Sequence, residues 1–333
     1  MTTTSITHTI PKYLSFYSSG ELARRSRLLE QRLVSCDICP RLCRVNRLEN
    51  APAFCRSGYL PIVSAVCAHS GEEPAISGSR GSGTVFFGNC NMRCVYCQNH
   101  QISQDWKKQK SKEVDFHTLA EKMLYLQDEM GCHNINFVTP SHFVPQIVRS
   151  LLEAVPMGLR IPLVYNSSGY DSVSVIRELE GIIDIYLPDL RYGSEKWARK
   201  LSAAPDYVSS AREAIKEMYR QVGHLTTDES GVARRGMIVR HLILPNHLAD
   251  SEESLAWLAR EVSPDVTVSI MSQYLPLHRA PGIPLLSRKI SAMEYERVLR
   301  LLSDLGLENG WVQEMESAEN YVPDFGREGH PFS

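Results

Sequence analysis

Thr84-Val85-Phe86-Phe87-Gly88-Asn89-Cys90-Asn91-Met92-Arg93-Cys94-Val95-Tyr96-Cys97-Gln98-Asn99 carries the two signals that set the expected architecture. Its first four residues are a short apolar run between Gly83 and Gly88, which reads as a buried strand. Three cysteines follow at once in the spacing C-x3-C-x2-C. Cysteine thiolates are the usual ligands of a [4Fe–4S] cluster, and closing one takes four of them. Three ligands this close in sequence hold three irons of one cubane. The fourth iron then stays open to a non-protein ligand, as an open catalytic zinc site differs from a closed structural one. Two plainer readings stand beside this one: a zinc knuckle with His100 as fourth ligand, or three reduced thiols. C-x3-C-x2-C followed by histidine is not a common zinc pattern.

Outward from this run a pattern repeats. Apolar segments at 135–138, 163–165, 182–187, 237–244 and 266–271 each follow a helical stretch, at 116–130, 143–154, 171–180, 194–222 and 251–261. A last helix covers about 290–305. Six strands separated by helices predict parallel βαβ units with right-handed crossovers. The expected fold is α/β, a partial (βα)6 relative of the TIM barrel with an N-terminal cysteine-rich extension. In such barrels the chemistry sits at the C-terminal strand ends, and the three cysteines fall just after the first strand. The expected division is an N-terminal helix and cysteine-rich extension over 1–80, the barrel over 81–310 and a tail over 311–333. Within the extension, residues 12–34 read as one helix whose basic side carries Arg24, Arg25, Arg27 and Arg32. That side is either a partner surface or a solvated face. Residues 36–80 read as irregular.

A chain of 333 residues can bury a large core, and 43% hydrophobic with 22% charged residues describes an ordinary globular protein. A net charge of −2 offers no electrostatic case for nucleic acid or an anionic membrane. No stretch approaches the eighteen or so apolar residues of a membrane span. The first residues lack the charged-then-apolar order of a secretory signal. The cysteines are nine, an odd count, and cluster between Cys36 and Cys97. That usage suits metal or Fe–S ligands in a reducing cytosol, so a cytoplasmic location is expected.

The cysteine spacing, Tyr96 just before the last cysteine, and the place after a short strand resemble the radical S-adenosylmethionine (radical SAM) superfamily. The resemblance implies that Cys90, Cys94 and Cys97 hold a [4Fe–4S] cluster whose open iron binds the amino and carboxylate groups of S-adenosylmethionine. It implies reductive cleavage to methionine and a 5′-deoxyadenosyl radical that abstracts a hydrogen atom, with an external flavodoxin or ferredoxin as reductant. Further pieces resemble an uncharacterised group named after pyruvate formate-lyase activating enzyme. They are the N-terminal cysteine string, His69 to Pro74, Gly83 to Asn99, Asn136 to Pro145, Val164 to Tyr170, Tyr186 to Gly193, Arg240 to Pro245 and Ser269 to Pro276. Such an enzyme is an oxidoreductase activating a glycyl-radical protein, or it modifies another protein, a peptide or a small molecule. The long chain before the barrel weakens the first option. The opposing class is a non-catalytic Fe–S electron carrier or metal-stabilised binding protein. A whole barrel argues against it, because a carrier needs no S-adenosylmethionine pocket.

That pocket is expected from the strand-end loops. After the second strand comes Val138-Thr139-Pro140-Ser141-His142, where many superfamily members carry Gly-Gly-Glu-Pro. Thr139 and Ser141 offer hydrogen bonds but no carboxylate. Asn166 and Ser167 follow the third strand and suit ribose or carboxylate contacts. Asp189 and Arg191 follow the fourth and resemble the Asp-Leu-Lys element of glycyl-radical activating enzymes. Arg191 holds a ligand carboxylate or closes a loop ion pair. On the fifth strand one of Arg240 and His241 faces inward. Gln273 follows the sixth and could contact adenine or substrate, whereas Tyr274 is as suited to packing.

Cys36-x2-Cys39-x3-Cys43-x11-Cys55 is a second candidate constellation, for zinc or a second Fe–S cluster, or else four free thiols. Cys67 and Cys132 read as small buried apolar residues. His69-Ser70-Gly71-Glu72-Glu73-Pro74 is either an acidic patch near the cluster that contacts substrate, or a polar turn closed by proline.

Overall fold

The computed structural model describes residues 10–315, 322–327 and 330–332. Its strands are β1 (Val63–His69), β2 (Ser82–Phe87), β3 (Ile135–Val138), β4 (Leu163–Ser167), β5 (Ile185–Pro188), β6 (Thr226–Thr227), β7 (Ala233–Leu242), β8 (Thr267–Met271) and β9 (Gly310–Val312). β2, β3, β4, β5, β7, β8 and β9 lie side by side in that order, each parallel to its neighbour. β1 joins the free edge of β2 antiparallel, and β6 pairs antiparallel with β7. This is the expected mixed α/β fold. No described helix is long and apolar enough to cross a membrane.

The strands are buried along their whole length from β2 to β5, because both faces of a parallel sheet are covered. Side chains alternate between the faces. Phe87 and Phe137 point outward and stack at 6.2 Å, and Phe143 joins them. The helix Val144–Ala154 lays Ile147, Val148, Leu151 and Ala154 on that outer face at helical spacing. The alternate residues Phe86, Val138 and Asn166 line a single cavity of about 500 Å³. Arg240 of β7, Ser269 of β8 and Trp311 of β9 reach the same space. Only a sheet curled on itself brings strands so far apart in order around one cavity, so the sheet is a partial barrel.

The segment expected to be irregular, 36–80, contains β1 and the short helix Pro74–Ser77. β1 was concealed by its composition: Ser64, Ala65, Cys67 and Ala68 make neither a large apolar run nor a clean alternation. It runs against β2, so its end, His69, pairs with Ser82 at the start of β2. The chain after His69 therefore crosses the floor of the barrel. Ala75 and Ile76 plug it, packed against Val164, Ile185, Leu187, Ala233 and Ile238. Asn134 Nδ2 donates to the Ile76 carbonyl at 2.8 Å and fixes the plug.

The single N-terminal helix expected over 12–34 is two, Lys12–Ser18 and Glu21–Gln31. Gly20, at φ 80°, breaks it, a conformation that costs other residues free energy. Two of its arginines hold the helix to its surroundings. Arg25 Nη1 donates to the carbonyls of Glu178 and Glu180 at 3.0 and 2.6 Å, and Arg32 Nε to Asp37 Oδ1 at 2.7 Å. The long helical region 194–222 is likewise two helices, Glu195–Ser202 and Tyr207–Val222. Pro205 separates them, because it cannot continue a helix.

Asp184 precedes β5 and is buried, and its Oδ2 accepts the Leu163 N–H at 2.9 Å. Burial pushes its pKa up to about 7. A carboxyl whose pKa is higher folded than unfolded holds its proton longer in the native state. Its contribution to stability is therefore fully present below the unfolded value and is lost as pH rises toward 7. Asp184→Asn keeps the acceptor and removes that loss. Its melting temperature is expected to gain progressively on the parent from pH 5 to pH 8. Parallel curves in a thermal melt series would show that Asp184 does not titrate in this range.

Candidate active site

The loop after β2 is held at its entry and along its length. His142 Nε2 pairs with the Gly88 carbonyl at 3.0 Å. Asn89 takes a left-handed φ of 65° and donates through Nδ2 to the Arg56 carbonyl at 3.1 Å. The three thiols of the loop each have a hydrogen-bonding neighbour. Met92 N–H reaches Cys90 Sγ at 3.3 Å, Ser202 Oγ lies 3.0 Å from Cys94 Sγ, and Ser103 Oγ lies 3.1 Å from Cys97 Sγ. Ser202 Oγ also meets Tyr192 OH at 2.6 Å, and Tyr192 OH meets Tyr96 OH at 2.6 Å. A hydroxyl chain therefore runs from Tyr96 back to the Cys94 sulfur.

Burial pushes the Cys90 thiol up to about 12 and the Cys97 thiol to about 11. Both are protonated at neutral pH when free, so binding a metal must displace protons. The donor set suits a cubane better than a single ion. His100 does not turn to the cysteine sulfurs; its Nδ1 lies 3.2 Å from the Cys97 carbonyl and its ring stacks on His278. Three thiolates can each hold a different iron of one cubane.

One charged network spans the cavity. Gly169, at φ 75°, lets the loop after β4 close on the loop after β5; a Cβ there would meet the Asp189 carbonyl at 2.4 Å. Asp189 Oδ1 accepts from Arg240 Nε at 2.8 Å, and its Oδ2 from Arg191 Nη2. Arg240 Nη2 donates to Asn166 Oδ1 at 2.6 Å and Nη1 to Glu72 Oε2 at 3.3 Å. Glu72 Oε1 accepts from Asn136 and Asn166 at 3.1 and 3.3 Å. Arg191 keeps its Nε buried and without a partner, and its charge is felt by Cys94 and Tyr96 beside the cysteine loop. Glu73 also lines the cavity, 9% exposed, with Oε2 unpaired. Burial raises the pKa of Glu72 and of Glu73.

Of the pocket residues expected from sequence, Asn166, Asp189, Arg191, Arg240 and Gln273 line this cavity together with Cys97. Thr139, Ser141 and Ser167 do not. Asn166 points inward, so its neighbour Ser167 points out, where its Oγ donates to the buried Asp171 Oδ2 at 2.6 Å. Thr139 is held by its backbone, at φ 61° with its N–H on the Asn166 carbonyl at 2.9 Å, and Ser141 is buried nearby. Of the adjacent pair on β7, Arg240 is the inward residue. His241 is held outside by Leu190 O at 2.6 Å and Ser251 Oγ at 2.8 Å, and burial lowers its pKa to about 4. Tyr274 packs edge-on against Tyr96.

Several wall residues carried no local signal. Gln98 Nε2 donates to the Gln273 carbonyl at 2.9 Å and closes the mouth. Beyond β9 the chain returns past the cavity. Phe332 stacks on His69 at 4.0 Å and Phe325 meets Phe86 edge-on at 5.2 Å, so the tail covers the gap between β9 and β1.

A family profile described as "Radical SAM superfamily" matches residues 84–232. An uncharacterized protein of Methanocaldococcus jannaschii is 30% identical over 285 residues, covering 82% of this chain and 76% of the relative. The chain belongs to the radical SAM superfamily, which implies a [4Fe–4S] cluster and S-adenosylmethionine. Among solved structures, HydG, a maturase of the [FeFe]-hydrogenase, is similar at 11% identity and TM-score 0.48. The match covers 72% of this chain and 53% of HydG, so this chain spans about half that length. Methylornithine synthase (PylB) is similar at 15% identity and TM-score 0.42, covering 75% of this chain and 74% of the other.

Arg240 stands between two buried carboxylates. Arg240→Met leaves Glu72 without a cation and Asp189 with Arg191 alone, and breaking a buried ion pair from one side costs about 3–5 kcal/mol. A loss of that size is expected in urea melts. A loss below about 1 kcal/mol would show that Glu72 and Asp189 are not both ionised in the native state.

Proposed function

We propose that the protein is a radical SAM enzyme in which Cys90, Cys94 and Cys97 hold the cluster and the barrel cavity holds S-adenosylmethionine and the substrate. When bound, the reduced cluster supplies the electron that splits S-adenosylmethionine into methionine and a 5′-deoxyadenosyl radical, which removes a hydrogen atom from the substrate. The observation that carries this reading is one juxtaposition. Three thiols with hydrogen-bonding neighbours sit in the loop at the C-terminal end of the first parallel strand, and one of them, Cys97, lines a cavity holding a guanidinium with an unpaired N–H.

Arg191 has the role of binding the methionyl carboxylate, with Asp189 fixing its other edge. Asn166 and Gln273 offer hydrogen bonds to ribose and adenine from opposite walls. No carboxylate follows β3, so the acidic groups come from Asp189 and from the floor. The unpaired Glu73 oxygen faces whatever reaches the bottom, which favours a substrate group carrying an N–H donor. The tail and the plug exclude water from two sides of the cavity. The finer reading follows the family resemblance: a protein, peptide or small-molecule substrate, with glycyl-radical activation as one option, a flavodoxin or ferredoxin as reductant, and a reducing cytoplasm as setting. The division into extension, barrel and tail belongs to the same reading.

The test is anaerobic reconstitution with iron and sulfide, reduction by dithionite, addition of S-adenosylmethionine, and mass spectrometry for 5′-deoxyadenosine. The parent protein is expected to form it. Cys94→Ala is expected to form none while keeping its circular dichroism spectrum. A fully loaded, reduced cluster whose spectrum ignores S-adenosylmethionine would overturn the reading. Arg191→Ala should weaken S-adenosylmethionine binding by about tenfold or more, the loss of a hydrogen bond to a charged group. Unchanged affinity would return Arg191 to its ion pair with Asp189 alone.

A further inference from the structure

We propose that Cys36, Cys39, Cys43 and Cys55 hold a second [4Fe–4S] cluster, closed by four thiolates, in the cavity they share with Arg47 and His142. The four cysteines line one small cavity together with Ile38, Leu42 and Ala53 and with Arg41, Arg47 and His142. Four thiols around one space supply the four ligands that close a cubane.

Two features mark the site as built for an anionic occupant. The first is backbone strain beside the cysteines. Leu42 and Arg44, on either side of Cys43, have φ of 46° and 56°, and Arg56 after Cys55 has φ 60°. Such conformations are unfavourable for residues other than glycine and persist where the surroundings impose them. Here they turn the chain at Cys43 and Cys55. The second is charge. Arg47 is fully buried, and its partners are the carbonyls of Gly58 and His142 and, at 4.0 Å, the Cys36 sulfur. No carboxylate pairs with it among the described residues. A buried guanidinium without a counterion is costly, and a thiolate-bound cluster is an anion at the position it faces.

A Zn(Cys)4 site would use the same four thiolates and carry the same anionic character beside Arg47, so the metal count decides between the two.

The proposal is independent of the radical chemistry, and its test separates the two. In the full-length Cys90→Ala/Cys94→Ala/Cys97→Ala variant, the first site is removed and the second left intact. After anaerobic reconstitution in the presence of both iron and zinc, about four irons and four sulfides per chain are expected, with a visible absorption bleached by dithionite. About one zinc and no iron would overturn the proposal in favour of a structural zinc site, and neither metal would overturn it in favour of free thiols. Should the triple variant not fold, the parent chain decides the matter. Eight irons without zinc support the second cluster; four irons, with or without one zinc, overturn it.

Discussion

The ion network Glu72–Arg240–Asp189–Arg191 is the constraint on which the rest of the structure depends. It joins the floor of the barrel, two of its strands and the loop after β5. Buried charges are tolerated only in company, so each member dictates where the others stand. Arg240 fixes the height of the Glu72 carboxylate and hence the plug that carries it. Asp189 in turn fixes Arg191, the member of this network whose Nε is left with an N–H to offer. Glu73 stands beside this network with one carboxyl oxygen unpaired, and burial raises its pKa.

Closure of the barrel follows from two devices outside the parallel strands. The antiparallel β1 delivers the chain to the floor, and the small apolar residues Ala75 and Ile76 fill the taper there. At the open side, a sheet that begins at β1 and ends at β9 has two edges that do not meet. Phe325 and Phe332 pack on the β1–β2 side of the gap, against Phe86 and His69. An unpaired edge strand is a liability in water, and covering it with the chain's own tail also gives the cavity its last wall.

The six central strands and their helices were legible because burial on both faces leaves an unmistakable apolar run, as in Thr84 to Phe87. β1 was not, since Ser64, Ala65 and Ala68 are half-buried and small and produce no period. Gly20 was visible in the sequence, but glycine inside a helical pattern does not announce which φ it adopts. The site shows the same division. Asp189, Arg191, Asn166 and Gln273 could be placed at strand ends by counting. The choice between Arg240 and His241, and between Asn166 and Ser167, depends on which face of the strand turns inward, and only the register settles that. Glu72 and Glu73 were recognisable as an acidic pair near the cluster. Their place on the floor depends on the direction of a strand that the sequence concealed.

The two cysteine groups lie on different parts of the chain, yet they share one framework. Arg93 of the C-x3-C-x2-C loop donates to the Phe54 carbonyl at 2.6 Å, next to Cys55, and to the Cys90 carbonyl at 2.6 Å. Arg41, between Cys39 and Cys43, donates to the Asn91 carbonyl at 2.9 Å, next to Cys90. His142 reaches from the wall of the N-terminal chamber to Gly88 at the root of the loop. Each group is thus braced in part by residues of the other. Ordering one set of thiols therefore lowers the entropy cost of ordering the second. If the N-terminal cysteines hold a cluster as proposed, metal binding at either site is also folding free energy for the loop that frames its neighbour.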